Sequence, residues 1–128
     1  MIQNYSHSLP VLEKLKNIYL FWYQHYLIIP KTHRYSLGEK IDKYFVETME
    51  AVITAGFLGQ TEKLPYVRLA IRKLDTLKVF LMILWETKSL DNKKYIALSE
   101  KLDEIGRNIG GWLGKILKDL EKQNSLKK

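Results

Sequence analysis

Seven apolar side chains, Tyr95, Leu98, Leu102, Ile105, Ile109, Trp112 and Ile116, follow one another at steps of three and four without a break. That spacing lays them along one side of an α-helix for about six turns. No β-strand buries residues at that period, and a seam this regular needs other helices to close it. The rest of the chain supplies three. Leu12, Leu15, Tyr19, Trp22, Tyr26 and Ile29 form a second stripe, with Ser8 as a candidate N-cap, Pro10 in the first turn and Pro30 ending the helix. A third stripe runs through Leu37, Ile41, Tyr44/Phe45, Thr48, Val52 and Ala55. There Ser36-Leu37-Gly38-Glu39 matches a capping box, and Gly56 and Gly59 break the pattern. The remaining stripe is Leu64, Val67, Ile71, Leu74, Leu77, Leu81 and Leu84/Trp85, with Thr61 as candidate cap. Phe80, Met82 and Ile83 widen that helix's apolar surface beyond one stripe, as for a helix that meets a second partner.

These patterns predict an all-α fold, an antiparallel up-and-down four-helix bundle with helices over about 9–29, 32–57, 62–87 and 90–120. The last is capped by Ser89 or Asp91. Residues 1–120 read as one domain, and 121–128 as a basic flexible tail.

One stretch of the fourth helix runs against its own propensity. EIGRNIGGWLGK, residues 104–115, holds four of the seven glycines. Each costs a helix about 0.5–1 kcal/mol relative to alanine. Gly106, Gly110 and Gly114 recur every four residues, with Gly111 and Trp112 beside them. The spacing predicts a groove without side chains, against which another helix or subunit packs closely, anchored by Trp112.

Charge narrows the function. The chain carries 21 Lys and Arg against 14 Asp and Glu, for a net +7, which favours an anionic partner. In an antiparallel bundle the first and third connections share one end. The first carries Lys31, His33 and Arg34, the second Lys88, Lys93 and Lys94, while Lys40 and Lys43 extend the positive surface along the second helix. Arg68, Arg72 and Lys73 make another patch on the third helix, and Lys78 falls at the edge of its stripe. Contacts from such groups to phosphates are largely independent of sequence.

Catalytic patterns are missing. There is no cysteine, so disulfides, thiolate catalysis and cysteine metal sites are excluded. His7, His25 and His33 have no metal-ligand spacing, no inward Glu-x-x-His pair occurs, and no glycine-rich loop follows a strand. His25, between aromatic neighbours, reads as a partly buried histidine or an interface hydrogen bonder. No enzyme activity, cofactor or metal is expected. The longest run without Asp, Glu, Lys or Arg, residues 17–30, is shorter than the ~20 residues of a membrane span. No signal peptide is evident at the start, and the lack of cysteine suits a cytoplasmic location.

Three segments carry a family resemblance. PKTHRYSLGEKI (30–41) resembles the Pro-basic-x-His-basic-aromatic-x-Leu-Gly-acidic-basic-Ile signature of the accessory variability determinant (Avd) proteins of diversity-generating retroelements. KLDTL (73–77) is similar to their third-helix Leu-Asp-x-Leu core. SLDNKKYIALSEKLDEIGRNIGGWLGK (89–115) is similar to their last helix, with its Ile-Gly…Gly-Gly-Trp ending. The likeness covers roughly residues 10 to 115 in one register. It implies a bundle that assembles as a homopentameric barrel with a basic surface. It also implies a non-enzymatic partner of the element's reverse transcriptase and template RNA, with DNA as a further nucleic-acid partner, in mutagenic retrohoming. Lys31, His33, Arg34 and Lys40 fall on the signature's basic and histidine positions, and Lys78 on a basic position after Leu-Asp-x-Leu. A second role for His33 is to accept backbone donors and shape its loop. Related bundles encoded within ribosomal-RNA intervening sequences carry Asn-Ile-Ala-Glu-Gly where this chain has TAGFLG, which favours the retroelement branch. The stretch after Lys115 is longer than the family pattern, and the first half of helix one matches only in apolar rhythm. The alternative is a scaffold, or an orphan bundle of the intervening-sequence type, that binds an acidic protein or RNA.

Overall fold

The computed structural model of the chain describes residues 7–126. Four helices account for nearly all of them, and no strand occurs among the described residues. Helix α1 is Ser8–Tyr26. Helix α2 is composite: a short start Lys31–His33, a π-helical turn Arg34–Gly38 and an α-helical body Glu39–Gly56. Helix α3 is Gln60–Glu86 and α4 is Asn92–Leu126.

Successive helices run antiparallel, as their cross-links show. Between α1 and α2, Trp22 stacks on Phe45, and its Nε1–H donates to Asp42 Oδ1 at 3.3 Å. Between α2 and α3, Tyr44 stacks on Phe80, and Lys73 pairs with Glu47 at 2.9 Å. Helix α4 meets α3 through Lys78–Asp103 and Gln60–Asp119, and returns to α1 through Lys14–Glu104 and Lys14–Asn108. The core is the interior these four faces enclose. The seam of α4 lies where its sequence puts it, with Leu98, Leu102, Ile105, Ile109, Trp112 and Ile116 all buried.

The seam of α1 turns by about one residue from the expected stripe. Leu15, Trp22 and Ile29 are shared, but Val11, Ile18 and His25 are buried, while Leu12, Tyr19 and Tyr26 are half-buried on the flank. Large aromatic rings with a hydroxyl keep an edge in water more readily than Val and Ile do.

The helix ends differ from expectation in ways that have local causes. Helix α1 stops at Tyr26, before Pro30, and its side-chain cap at Ser8 is not made, because Ser8 is already helical. The capping box at Ser36 does not form either. Ser36 lies inside the π turn, and its hydroxyl donates back to the Thr32 and His33 carbonyls. Gly38 closes that turn against α1. A Cβ there would come within 3.1 Å of the Tyr26 ring and 3.2 Å of the His33 carbonyl, so a larger residue would push the two helices apart. Thr61 is inside α3, whose N-cap is the extended Gly59. Asp91, rather than Ser89, caps α4: its Oδ1 accepts the Lys94 backbone N–H at 2.8 Å. Helix α4 runs on to Leu126, past the expected end near residue 120, through the segment read from sequence as a tail; Lys127 and Lys128 lie outside the described residues.

Of the four glycines of α4, Gly106 alone faces a neighbouring helix among the described residues. A Cβ on Gly106 would touch Leu74 and the Lys78 ammonium, but on Gly110, Gly111 or Gly114 it would meet nothing within 4 Å. Among the described residues, no helix packs there. Trp112 is buried on the adjacent seam, stacked on His7.

Candidate nucleic-acid interface

The turn from α3 to α4 is built around Lys88, the one non-glycine residue with positive φ (68°) among the described residues. The Ser89 N–H bonds the Leu84 carbonyl and the Lys88 N–H bonds the Trp85 carbonyl, the two hydrogen bonds of a Schellman cap. Glycine is the usual occupant of that left-handed position, since a Cβ there costs about 1–2 kcal/mol.

That cap presents Ser89 to the other connection. His25 Nε2–H donates to the Ser89 carbonyl at 3.1 Å, and His33 Nδ1 shares a hydrogen bond with the Ser89 hydroxyl. Burial pulls the His25 imidazole below its ordinary value and so keeps it neutral. The Ser89 hydrogen bond opposes this, nearby Lys94 reinforces it and Asp91 opposes it. Its Nδ1 is buried with no hydrogen-bond partner among the described residues. Arg34 reaches back from the π turn, with Nε donating to the Ile29 carbonyl at 3.0 Å. The first and third connections are thus tied together through one serine.

The cations expected at this end divide into free and engaged. Lys31, Lys88 and Lys93 are exposed and form no ion pair among the described residues, and the same is true of Lys40 along α2. Lys94 pairs with Asp91 at 3.1 Å, and Arg34 is half-buried. Lys43 lies 3.9 Å from Glu47. Lys40 and Lys43 flank an open groove of about 670 Å3 with Tyr35 and Leu37, which Glu39 and Asp42 also line. Beside Lys88, Trp85 stacks on Tyr95 with centroids 4.7 Å apart, and its Nε1–H donates to Asn92. That pair gives the cationic end an aromatic surface.

Other expected residues lie elsewhere. Lys78 pairs with Asp103 across α3 and α4. Lys73 is bound to Glu47, whose carboxyl it holds below the usual range. Arg68 and Arg72 are exposed but sit about 20 Å or more from Glu86 along α3. They form a separate surface. Sequence reasoning missed the role of Ser89, which it had read as a cap, and the Trp85–Tyr95 pair. The available signal for the latter was the placement of Trp85 at the end of one stripe and Tyr95 at the start of the next, on either side of a short turn.

Among the described residues, no cluster of three or more His, Asp or Glu could hold a metal ion, and no helix is long and apolar enough to cross a membrane. Compared with known proteins, residues 10–116 match the family model described as bAvd-like, from the first turn of α1 to the last buried residue of the α4 seam. No curated protein and no solved structure matches the chain.

Proposed function

Since the chain belongs to the bAvd-like family, we propose that it is a non-catalytic accessory protein of a diversity-generating retroelement. In this reading it binds the reverse transcriptase and template RNA through its basic end and supports error-prone complementary DNA synthesis. The observation that carries the reading is the meeting of two connections at one end, with Lys31, Lys88 and Lys93 unpaired around the Ser89 junction. Carboxylates neutralise Lys73, Lys78 and Lys94, whereas the cations at this end and Lys40 along α2 keep their charge. Unpaired cations neutralise phosphates by releasing counterions, which makes binding strong at low salt and indifferent to base sequence.

The reading includes assembly as a homopentamer. It is supported by apolar side chains left in water on adjoining faces of α3 and α4, namely Val79, Met82 and Ile96. A ring of five would repeat the basic end around one axis and multiply its hold on a strand.

The test is charge reversal at Lys31, Lys40 and Lys93, which form no ion pair among the described residues. The triple Glu variant should lose RNA affinity tenfold or more and lower the salt slope by about 2, since each phosphate contact on a single strand contributes about 0.7. Retained polymerase binding would support direct RNA contact. Retained RNA affinity with lost polymerase binding would instead favour a scaffold for an acidic protein surface.

A further inference from the structure

The buried seam of α3 is Lys63, Val67, Ala70, Leu74, Leu77, Leu81 and Leu84, at alternating steps of four and three. Six of the seven are apolar. The first is a lysine with 2% of its surface exposed. Among the described residues no carboxylate pairs with it. Its Nζ lies 5.7 Å from the Trp112 ring centroid, a cation–π contact that faces the charge without neutralising it. The side chain is thus enclosed in the seam, with its cationic end at a cavity rather than against a carboxylate.

Lys63 lines a cavity of about 150 Å3 at the end of the bundle opposite Ser89. The walls are His7, Gln60, Trp112, Lys115, Ile116 and Asp119. The one acid there is engaged: Asp119 Oδ1 takes Lys115 at 3.3 Å, and its Oδ2 accepts the Gln60 side-chain amide at 3.0 Å. The helix N-terminus of α3 opens beside the cavity, with no side-chain cap at Gly59. Its free N–H groups add positive potential to that of Lys63, while Lys115 is paired with Asp119 and the Glu62 carboxylate lies beside Gly59.

We propose that this cavity is a binding site for a phosphate-type oxyanion, with the Lys63 ammonium at its base and Lys115, His7 and the start of α3 around it. The volume admits one tetrahedral anion and excludes a nucleoside. The anion is either free phosphate or the terminal phosphate of a nucleic-acid strand, since both present the same oxygens. The site is independent of the basic end and stands if that reading fails. Burial alone now holds the Lys63 ammonium below the ordinary lysine value, and a bound anion reverses that by favouring the charged form.

The experiment compares thermal unfolding of the parent chain and Lys63→Met in phosphate and in chloride at equal ionic strength. Methionine fills the seam position without a charge, so the variant folds and is at least as stable as the parent in chloride. Phosphate should raise the parent midpoint by about 5 °C when present at tenfold its dissociation constant, and leave the variant without that increment. Phosphate also stabilises proteins generally by exclusion from their surface, and that effect appears equally in both chains. An equal response in the two, or none in the parent, overturns the site. A measurement on the parent alone guards against a variant that misfolds: phosphate must raise the Lys63 ammonium pKa followed by NMR at Nζ, and an unmoved titration overturns the site. Given a phosphate response, tighter binding of a 5′-phosphorylated oligonucleotide than of its 5′-hydroxyl form, lost in Lys63→Met, supports a strand end as the source. Equal binding of the two supports free phosphate.

Discussion

Ser89 offers two different groups to two different histidines, its carbonyl to His25 and its hydroxyl to His33. The first of these makes stability depend on acidity. His25 has a folded value below the ordinary 6.5, so when pH falls beneath about 6.5 the unfolded chain binds a proton that the folded chain refuses. Stability therefore falls as pH drops through that window, by up to about 1.4 kcal/mol per unit for one proton. Thermal melts between pH 7.5 and 5 should show the loss in the parent and a smaller one in His25→Gln, whose amide can still donate to the Ser89 carbonyl. An equal acid sensitivity in both would assign the effect to other groups. The partial burial of His25 is legible in the sequence from its aromatic neighbours. The buried Lys63 is not, because a lysine at the start of a helix reads as solvated. Stepping the α3 stripe back four residues from Val67 would have found it.

The helices were legible as elements because each carries a stripe at helical period, and α4 carries it without a fault. Their ends were less so. The capping-box pattern at Ser36–Glu39 competes with a π turn that no side-chain pattern announces; it is set by Gly38 lying against Tyr26. The glycines of α4 show a different shortfall. Spacing puts Gly110 and Gly114 on one side of the helix, but only tertiary structure decides what stands opposite, and among the described residues nothing lies within 4 Å of an added Cβ. Gly110→Ala should therefore stabilise the folded chain by about 0.5–1 kcal/mol in denaturant unfolding, through the reduced entropy of its unfolded state. Gly110→Leu should leave folding intact. If α4 meets a second copy at this face, the leucine variant alone loses self-association.

At the scale of the whole molecule, antiparallel order was readable from short connections between long helices, and with it the nearness of the two basic connections. The separation of Arg68 and Arg72 from that end follows from the same geometry. Pairing of Lys73 with Glu47 and of Lys78 with Asp103 was not readable, since partners on neighbouring helices depend on rotation about each axis, whereas Lys94 and Asp91 are only three residues apart. Sedimentation at micromolar concentration should give a species about five times the 15.1 kDa chain mass. A monomer would remove the ring from the proposed function and leave the basic end as a single-copy surface.

The π turn at Arg34–Gly38 has one more consequence. A π turn amounts to one surplus residue in a helix, and each residue of an α-helix is worth 100° of rotation. Lys31 and His33 precede the surplus, whereas the seam residues Ile41, Phe45 and Thr48 follow it. The angular phase of the basic end is thus decoupled from that of the core. A single residue gained or lost in this turn would re-aim Lys31 around the bundle axis while every buried side chain of the helix body kept its place.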